Sequence, residues 1–347
     1  MTQVKAFGAT SATSPIGPMV IERREPRPDD VVIAIDYCGI CHSDIHTARS
    51  EWGPASYPCV PGHEIVGRVT AVGKKVKKFK VGDLAGVGCF VDSCGKCKSC
   101  KANEEQFCEV KTVFTYNSQE LDGKSKTFGG YATSITTKEK YTLKIKKGLP
   151  LDRVAPLLCA GITTYSPLKR YGVRKGQRVG VVGLGGLGHM AVKIAKAMGA
   201  EVVVFSTSLD KEKDAKKLGA KHFVYTKTPG NYAAWMQKLD LIIDTVSVNH
   251  DLAPLLGCLK MDSTLVLVGA PPTPNQVAAF ALIGGRKKLT GSLIGGIKET
   301  QEMLDFCARK KVLSDVELIS AEQINEAYER TIKGQVKYRF VIDTKTI

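Results

Sequence analysis

Along the 347-residue chain the spacing of apolar positions changes character once. Residues 31 to about 150 run as short β-branched stretches, such as 31–35 and 64–72, broken by Gly73, Gly82, Gly86 and Gly88. Such runs bounded by turn residues predict a mostly β region. From Arg178 onward, short apolar runs alternate with amphipathic helical stretches. The runs 178–182, 201–205, 222–225, 239–244 and 264–269 read as strands, with a sixth at about 288–293, and 186–198 and 211–218 as helices among them. Short apolar strands joined by helices imply parallel crossovers and a doubly wound sheet. After about residue 294 the pattern gives helices at 299–309 and 321–333 and a closing strand at 338–342.

The length suits about two domains, each able to bury its own core without disulfides. With 43% hydrophobic and 24% charged residues, the composition is that of a soluble globular protein. No uninterrupted apolar stretch approaches the roughly 20 residues needed to cross a bilayer, and the first ten residues lack a secretory pattern. A cytoplasmic protein without a membrane partner is expected. Fifty Lys plus Arg against 34 Asp plus Glu give a formal charge of +16, which raises nucleic acid as a partner. The basic residues, however, come in short scattered groups such as Lys74, Lys75, Lys77 and Lys78 or Arg286, Lys287 and Lys288. Without a recognisable nucleic-acid module they read as solvated surface.

Eleven cysteines in such a chain point to metal ligands or reduced thiols. Cys38, Cys59, Cys89, Cys258 and Cys307 have no ligand-like spacing and read as small apolar filler. Cys94, Cys97, Cys100 and Cys108 form C-x2-C-x2-C-x7-C, a density suited to a closed tetrahedral zinc that leaves no position for substrate. An iron–sulfur cluster is the alternative on ligand count alone.

The run 178–182 leads into Gly183-Leu184-Gly185-Gly186-Leu187-Gly188 and then a helix beginning near His189. In that context the glycines permit a tight turn, close approach of backbone N–H groups to a pyrophosphate, and helix packing, with the helix N-terminus favouring the anion. The residue after the second strand selects the cofactor, since NAD enzymes normally place a carboxylate there. Here stand Ser206, Thr207 and Ser208, with Lys211 shortly after. Hydroxyls and an ammonium suit a 2′-phosphate that a carboxylate would repel, so NADP is favoured. The plainer reading is a helix N-cap at Ser208 with Lys211 on a solvated face.

Cys41, His63 and Cys159 are scattered candidates with little weight singly. Together, G-I-C-H-S-D-I-H, P-G-H-E-I-V-G, the four-cysteine lobe, C-A-G-I-T-T-Y and G-L-G-G-L-G-H occur in this order. The chain resembles the zinc-containing medium-chain dehydrogenase/reductase superfamily, most closely its cinnamyl alcohol dehydrogenase family, over essentially its whole length. The resemblance implies an α/β protein. A GroES-like, mostly β catalytic domain with the structural zinc lobe would cover residues 1–150 and a Rossmann NADP-binding domain 151–293, with residues 294–347 returning to complete the first domain. It also implies a homodimer joined through the cofactor domains, and two zinc ions per subunit.

Carried over residue by residue, the resemblance makes Cys41, His63 and Cys159 ligands of a catalytic zinc with one open position. Asp44 would orient His63, and Glu64 would lie near the metal and ligate it transiently. Ser43 and His46 would relay a proton, a histidine suiting the outer end because its unperturbed pKa of about 6.5 lies near working pH. His42 and Thr163 would lie along the cofactor. Trp52, Phe114, Leu293 and Ile294 fall where the family lines its substrate cleft, which suggests an aromatic or medium aliphatic alcohol/aldehyde pair. A polyol or sugar dehydrogenase of the same superfamily is the nearest rival, and a basic zinc protein that binds nucleic acid the non-enzymatic one. Ser206 and Trp52 speak against the former, the glycine loop and second metal site against the latter.

Overall fold

The computed structural model describes residues 1–347. Two compact units are present, one built from Met1–Cys159 with Gly295–Ile347 and the other from Ala160–Ile294. No helix is long and apolar enough to cross a membrane.

The second unit is organised by six parallel strands. Their spatial order is His222–Tyr225, Glu201–Ser206, Arg178–Val182, Leu239–Asp244, Leu259–Leu267 and Lys288–Gly291. The chain starts in the middle, moves outward to one edge, then returns and fills the other side. The reversal therefore falls between Arg178–Val182 and Leu239–Asp244, where Val182 pairs with Asp244, and ligands of open α/β sheets bind at such a switch point. Burial on both faces explains the near-continuous apolar runs: Val179, Val181, Val203, Val204, Ile242 and Ile243 are all fully buried.

Several element ends differ from the sequence pattern. The fifth strand begins at Leu259 rather than 264, because its first half carries the exposed Lys260, Met261 and Asp262, which mask an apolar run. The sixth ends at Gly291, not 293. The glycine-loop helix spans Gly188–Ala197, so Gly186 and Leu187 belong to the turn. Lys211 closes a short 3-10 turn ahead of the helix Glu212–Leu218.

The first unit centres on the ten-residue strand Asp30–Gly39. Ile65–Val72 lies antiparallel on one side; Ser134–Lys138 and Arg339–Asp343 share the other, the latter pairing Val341 with Gly39. Val316–Ile319, Leu84–Val87 and Leu143–Lys144 extend this seven-stranded sheet. A hairpin, Thr2–Gly8 with Gly17–Arg23, lies ahead of the β region read from the sequence. The chain passes to the second unit at Cys159 rather than near 150, because Leu151–Val154 and Ala155–Leu158 still pack on the strands of the first. In the return segment, the pattern at 321–333 resolves into a 3-10 turn, Ala321–Gln323, opened by a Ser320/Gln323 capping box, and the helix Ile324–Ile332.

Candidate functional site

In the second unit, Gly183 adopts φ +83°, a left-handed conformation that turns the chain sharply after Val182. Its N–H donates to the Phe205 carbonyl at 2.9 Å. A Cβ on Gly188 would lie 2.1 Å from the Gly183 carbonyl oxygen, so only glycine lets the helix start this close to the strand. Beyond the neighbouring strand, Ser206 is buried and its Oγ accepts from Ser208 N at 3.2 Å, while Thr207 is exposed. Lys211 is not merely a solvated cation: its Nζ donates to the Leu184 carbonyl at 3.1 Å, which places an ammonium on the glycine loop. Ser208 occupies the N-cap position of the 3-10 turn, as the plainer reading has it, but makes no side-chain cap bond. Thr163 is buried in the helix Ala160–Arg170.

In the first unit, Cys41 stands at the N-terminus of the helix His42–Ala48, where its N–H donates to Asp44 Oδ2 at 2.8 Å. Asp44, fully buried, also accepts from Gly62 N at 3.0 Å and faces His63 Nδ1 at 3.0 Å. A carboxylate at Nδ1 fixes the tautomer, and Nε2 is left with its lone pair for a metal. Tyr116 stacks on the His63 ring at 5.9 Å. Cys159 arrives from the far end of the unit's first segment, with its Sγ 3.9 Å from that of Cys41.

The donor atoms of Cys41, His63, Glu64 and Cys159 all lie within 4.8 Å of one another. A tetrahedron with Zn–S bonds of about 2.3 Å has an edge of about 3.8 Å, so the sulfur pair fits zinc. The two thiols also divide one proton unequally: the Cys159 hydrogen bond, then Arg339 and His63, hold Cys41 well below an ordinary thiol, while the same bond raises Cys159.

Glu64 is tied to the buried guanidinium of Arg339, yet its Oε2 is buried without a hydrogen-bond partner. Space for that carboxylate depends on Gly39, where a Cβ would come within 1.9 Å of Oε2. Burial raises the Glu64 carboxyl to about 7 against the pull of Arg339. The residue is therefore a carboxyl group close to the metal donors and held by one counter-charge.

Ser43 Oγ lies 3.5 Å from His63 Nε2, beside the donor set. On the same short helix, His42 is exposed, and His46 engages Glu51 through Nδ1 and stacks on Trp52 at 4.7 Å. Trp52 and Phe114 are both exposed aromatics of this unit, Phe114 standing opposite Phe90 in the two-stranded sheet from which the cysteine lobe emerges. Leu293 is exposed and Ile294 buried, both in the other unit.

The four-cysteine lobe closes on itself. Cys94 and Cys100, and Cys97 and Cys108, each bring their sulfurs to 3.9 Å, and all four lie within 4.8 Å of one another. Backbone N–H groups point at the sulfurs: Cys97 N at Cys94, Cys100 N at Cys97, and Cys94 N and Lys111 N at Cys108, between 3.4 and 3.5 Å. Against the cost of burial, the backbone donors of Cys94, Val110 and Lys111 pull the Cys108 thiol down to about 6. Thiolates so stabilised are the form that binds metal.

Sequence reasoning misses Arg339, which stands near no ligand motif, and Glu51, which lies five residues after His46 without being part of the motif that ends there. The reading of Cys89 as filler also needs correction. It is only half-buried and lies 3.8 Å from the Leu158 carbonyl, beside the Cys159 thiol. By contrast Cys38, Cys59, Cys258 and Cys307 are buried.

Residues 27–147 match the alcohol dehydrogenase GroES-like domain family, and residues 186–309 the zinc-binding dehydrogenase family. The chain is 54% identical over 348 residues to NADP-dependent alcohol dehydrogenase C 1 of Mycolicibacterium smegmatis, covering 100% of this chain and 99% of that one. It is likewise 54% identical over 347 residues to aldehyde reductase YahK of Escherichia coli, with 99% of each covered. Among solved structures, a cinnamyl alcohol dehydrogenase from Sorghum bicolor superposes with a TM-score of 0.96 at 43% identity, over 99% of this chain and 98% of that one.

Proposed function

Because the chain belongs to the zinc-containing medium-chain dehydrogenase/reductase superfamily, in its cinnamyl alcohol dehydrogenase-like branch, we propose that it interconverts aromatic or medium aliphatic aldehydes and their alcohols with NADP(H). It is an oxidoreductase that uses zinc and NADP. The observation carrying the reading is the convergence of Cys41, His63 and Cys159 on one point while Glu64 is held by Arg339.

We assign Cys41, His63 and Cys159 to a catalytic zinc and Cys94, Cys97, Cys100 and Cys108 to a structural one. Zinc held at the first site would supply a Lewis acid able to polarise a carbonyl, and the reduced nicotinamide would supply the hydride. Asp44 holds the His63 ring in place. Arg339 retains Glu64, so that three protein donors leave a position for substrate. Ser43 is the hydroxyl beside this position and hands a proton to the reduced oxygen. His46, with Nδ1 occupied by Glu51, exchanges protons through Nε2 as the outer end of the relay.

The loop from Gly183 through Leu184, Gly185, Gly186 and Leu187 to Gly188 seats the pyrophosphate, while Ser206, Thr207, Ser208 and Lys211 receive the 2′-phosphate. His42 and Thr163 are assigned to the cofactor, and Leu293 and Ile294 to the substrate, on the family resemblance. Trp52 and Phe114 supply aromatic surface to the substrate. A homodimer is proposed through the edge strand Lys288–Gly291, which has an open side and lies in the same unit as the strongly exposed Phe280 and Ile283. We place the enzyme in the cytoplasm, where eleven cysteines without a disulfide among them, several of them proposed metal ligands, suit reducing conditions.

A substrate screen of purified enzyme tests this reading, following reduced-nicotinamide absorbance with benzaldehyde, cinnamaldehyde, hexanal and a ketose. Aldehyde reduction with NADPH ahead of NADH is expected. Turnover of the ketose alone would overturn the substrate class, and equal use of both cofactors would overturn the role of Ser206 to Lys211.

A further inference from the structure

The strand Leu239–Asp244 ends at the sheet's switch point on a carboxylate that is 1% exposed. Both oxygens of Asp244 are engaged by the residues that follow it. Oδ1 accepts from Val246 N at 3.0 Å, and Oδ2 faces His250 Nε2 at 2.9 Å. The second ring nitrogen, Nδ1, faces the carbonyl oxygen of Val248 at 2.9 Å. A neutral imidazole has one N–H and sets a lone pair against whichever acceptor it fails to serve. Only the imidazolium donates to both.

The segment closed by this clamp supports the glycine loop. Thr245 Oγ1 donates to the Val182 carbonyl at 2.7 Å, and Thr245 N to the same carbonyl at 3.1 Å. A Cβ on Gly183 would lie 3.0 Å from Val246 Cγ2 and 3.1 Å from Thr245 Oγ1, so both side chains press on the glycine that makes the turn. The far end of the segment is fastened as well, since Asn249 Nδ2 donates to the Thr273 carbonyl at 2.8 Å.

We infer that His250, as an imidazolium clamped between Asp244 and Val248, is a positioning residue for NADP(H) binding that holds Thr245 and Val246 beneath the glycine loop. The inference rests on the assignment of that loop to the cofactor pyrophosphate.

The charged groups facing His250 are Asp244 from the strand and Asp251 from its own segment; its other hydrogen-bond partner is the uncharged Val248 carbonyl. The hydrogen bond to Asp244, ahead of the opposing cost of burial, raises its proton affinity. A clamp complete in the protonated form is intact below that raised pKa and is lost as pH rises through it. Cofactor affinity falls over the same interval, because proton and cofactor favour the same arrangement.

The test measures the Kd of NADPH by fluorescence from about pH 7 to pH 9, where a phosphate with a pKa of about 6 is already ionised. Wild-type affinity is expected to weaken roughly fivefold across this range. His250→Gln should bind at the weaker level throughout, with a flat profile. In parallel, nitrogen NMR of histidine-labelled wild type should show the His250 ring with both nitrogens protonated at the lower pH and losing one proton over the interval in which NADPH affinity falls; a mismatch between the two intervals would overturn the inference even if the variant does not fold. Parallel pH profiles for wild type and variant, or a neutral His250 at the lower pH, would overturn the inference. Failure of wild type to bind NADPH at any pH would instead remove the assignment of the loop.

Discussion

Cys41 and Cys159 lie 118 positions apart in the chain, and their sulfur atoms stand 3.9 Å from one another. Neither segment brings a complete site. Cys41 is delivered by the start of a short helix held through Asp44, Cys159 by the 3-10 turn that packs on the central sheet, and His63 by the loop leading into Ile65–Val72. The fold's role is to make these ends coincide.

Arg339 offers a separable test, because it is the counter-charge paired with the buried Glu64 carboxylate. Replacing it by methionine strands a buried carboxylate, and breaking a buried pair in this way costs about 3–5 kcal/mol. Arg339→Met should lower the urea midpoint accordingly. Adding Glu64→Gln should recover part of the loss, since an amide needs no counter-charge. Additive losses in the double variant would contradict the pairing.

The proposed role of Lys211 in cofactor choice is open to test. A lost charge-assisted hydrogen bond is worth about 1.5–3 kcal/mol, so Lys211→Ala should lower kcat/KM with NADPH by at least about tenfold. The value with NADH should hardly move, because that cofactor has no 2′-phosphate. An equal fall with both would mean that Lys211 serves only the loop carbonyl of Leu184.

The acid limb of stability should depend on Glu201. Its carboxylate accepts from Lys221 Nζ at 2.7 Å and Arg178 Nε at 3.1 Å and faces His222 Nε2 at 3.0 Å. The Lys221 bond leads in lowering its pKa from the ordinary 4.5 to about 2. A carboxyl depressed in the folded state contributes stability above its unfolded pKa and loses it as pH falls toward the folded one. Thermal midpoints of wild type and Glu201→Gln should therefore differ most at neutral pH and converge between about pH 4.5 and pH 2. A constant gap would contradict this.

For the four-cysteine lobe, Cys100→Ser removes one thiolate from a closed set. Structural zinc sites contribute folding free energy directly. Reduced solubility or a lower unfolding midpoint is expected, with one metal ion lost per chain. A variant as stable and as active as wild type would contradict the structural role.

Much of this was legible where function imposes a local pattern. The glycine loop, the cysteine lobe and the three proposed ligands of the second metal group stand in runs whose spacing or company marks them, and the strands Arg178–Val182, Glu201–Ser206 and Leu239–Asp244 show as apolar runs because both sheet faces are covered there. The fifth strand was half hidden, since Lys260, Met261 and Asp262 are exposed there. Arg339 was illegible for a different reason: its meaning depends on strand Arg339–Asp343 pairing beside Gly39, where Val341 meets a residue 302 positions earlier, a contact that no local period encodes. Cys89 likewise acquires its place only from a tertiary contact with Cys159, whereas Glu51 meets His46 five residues away.

The central claim is most directly tested by zinc analysis of wild type and Cys159→Ala together with their turnover of an aldehyde. Two zinc ions per chain are expected in active wild type, one for each donor group. The variant should keep the fold and the lobe's ion, lose the other, and fall below detectable turnover. An active wild type with metal in the cysteine lobe alone, or a Cys159→Ala variant that retains full turnover, would contradict the account.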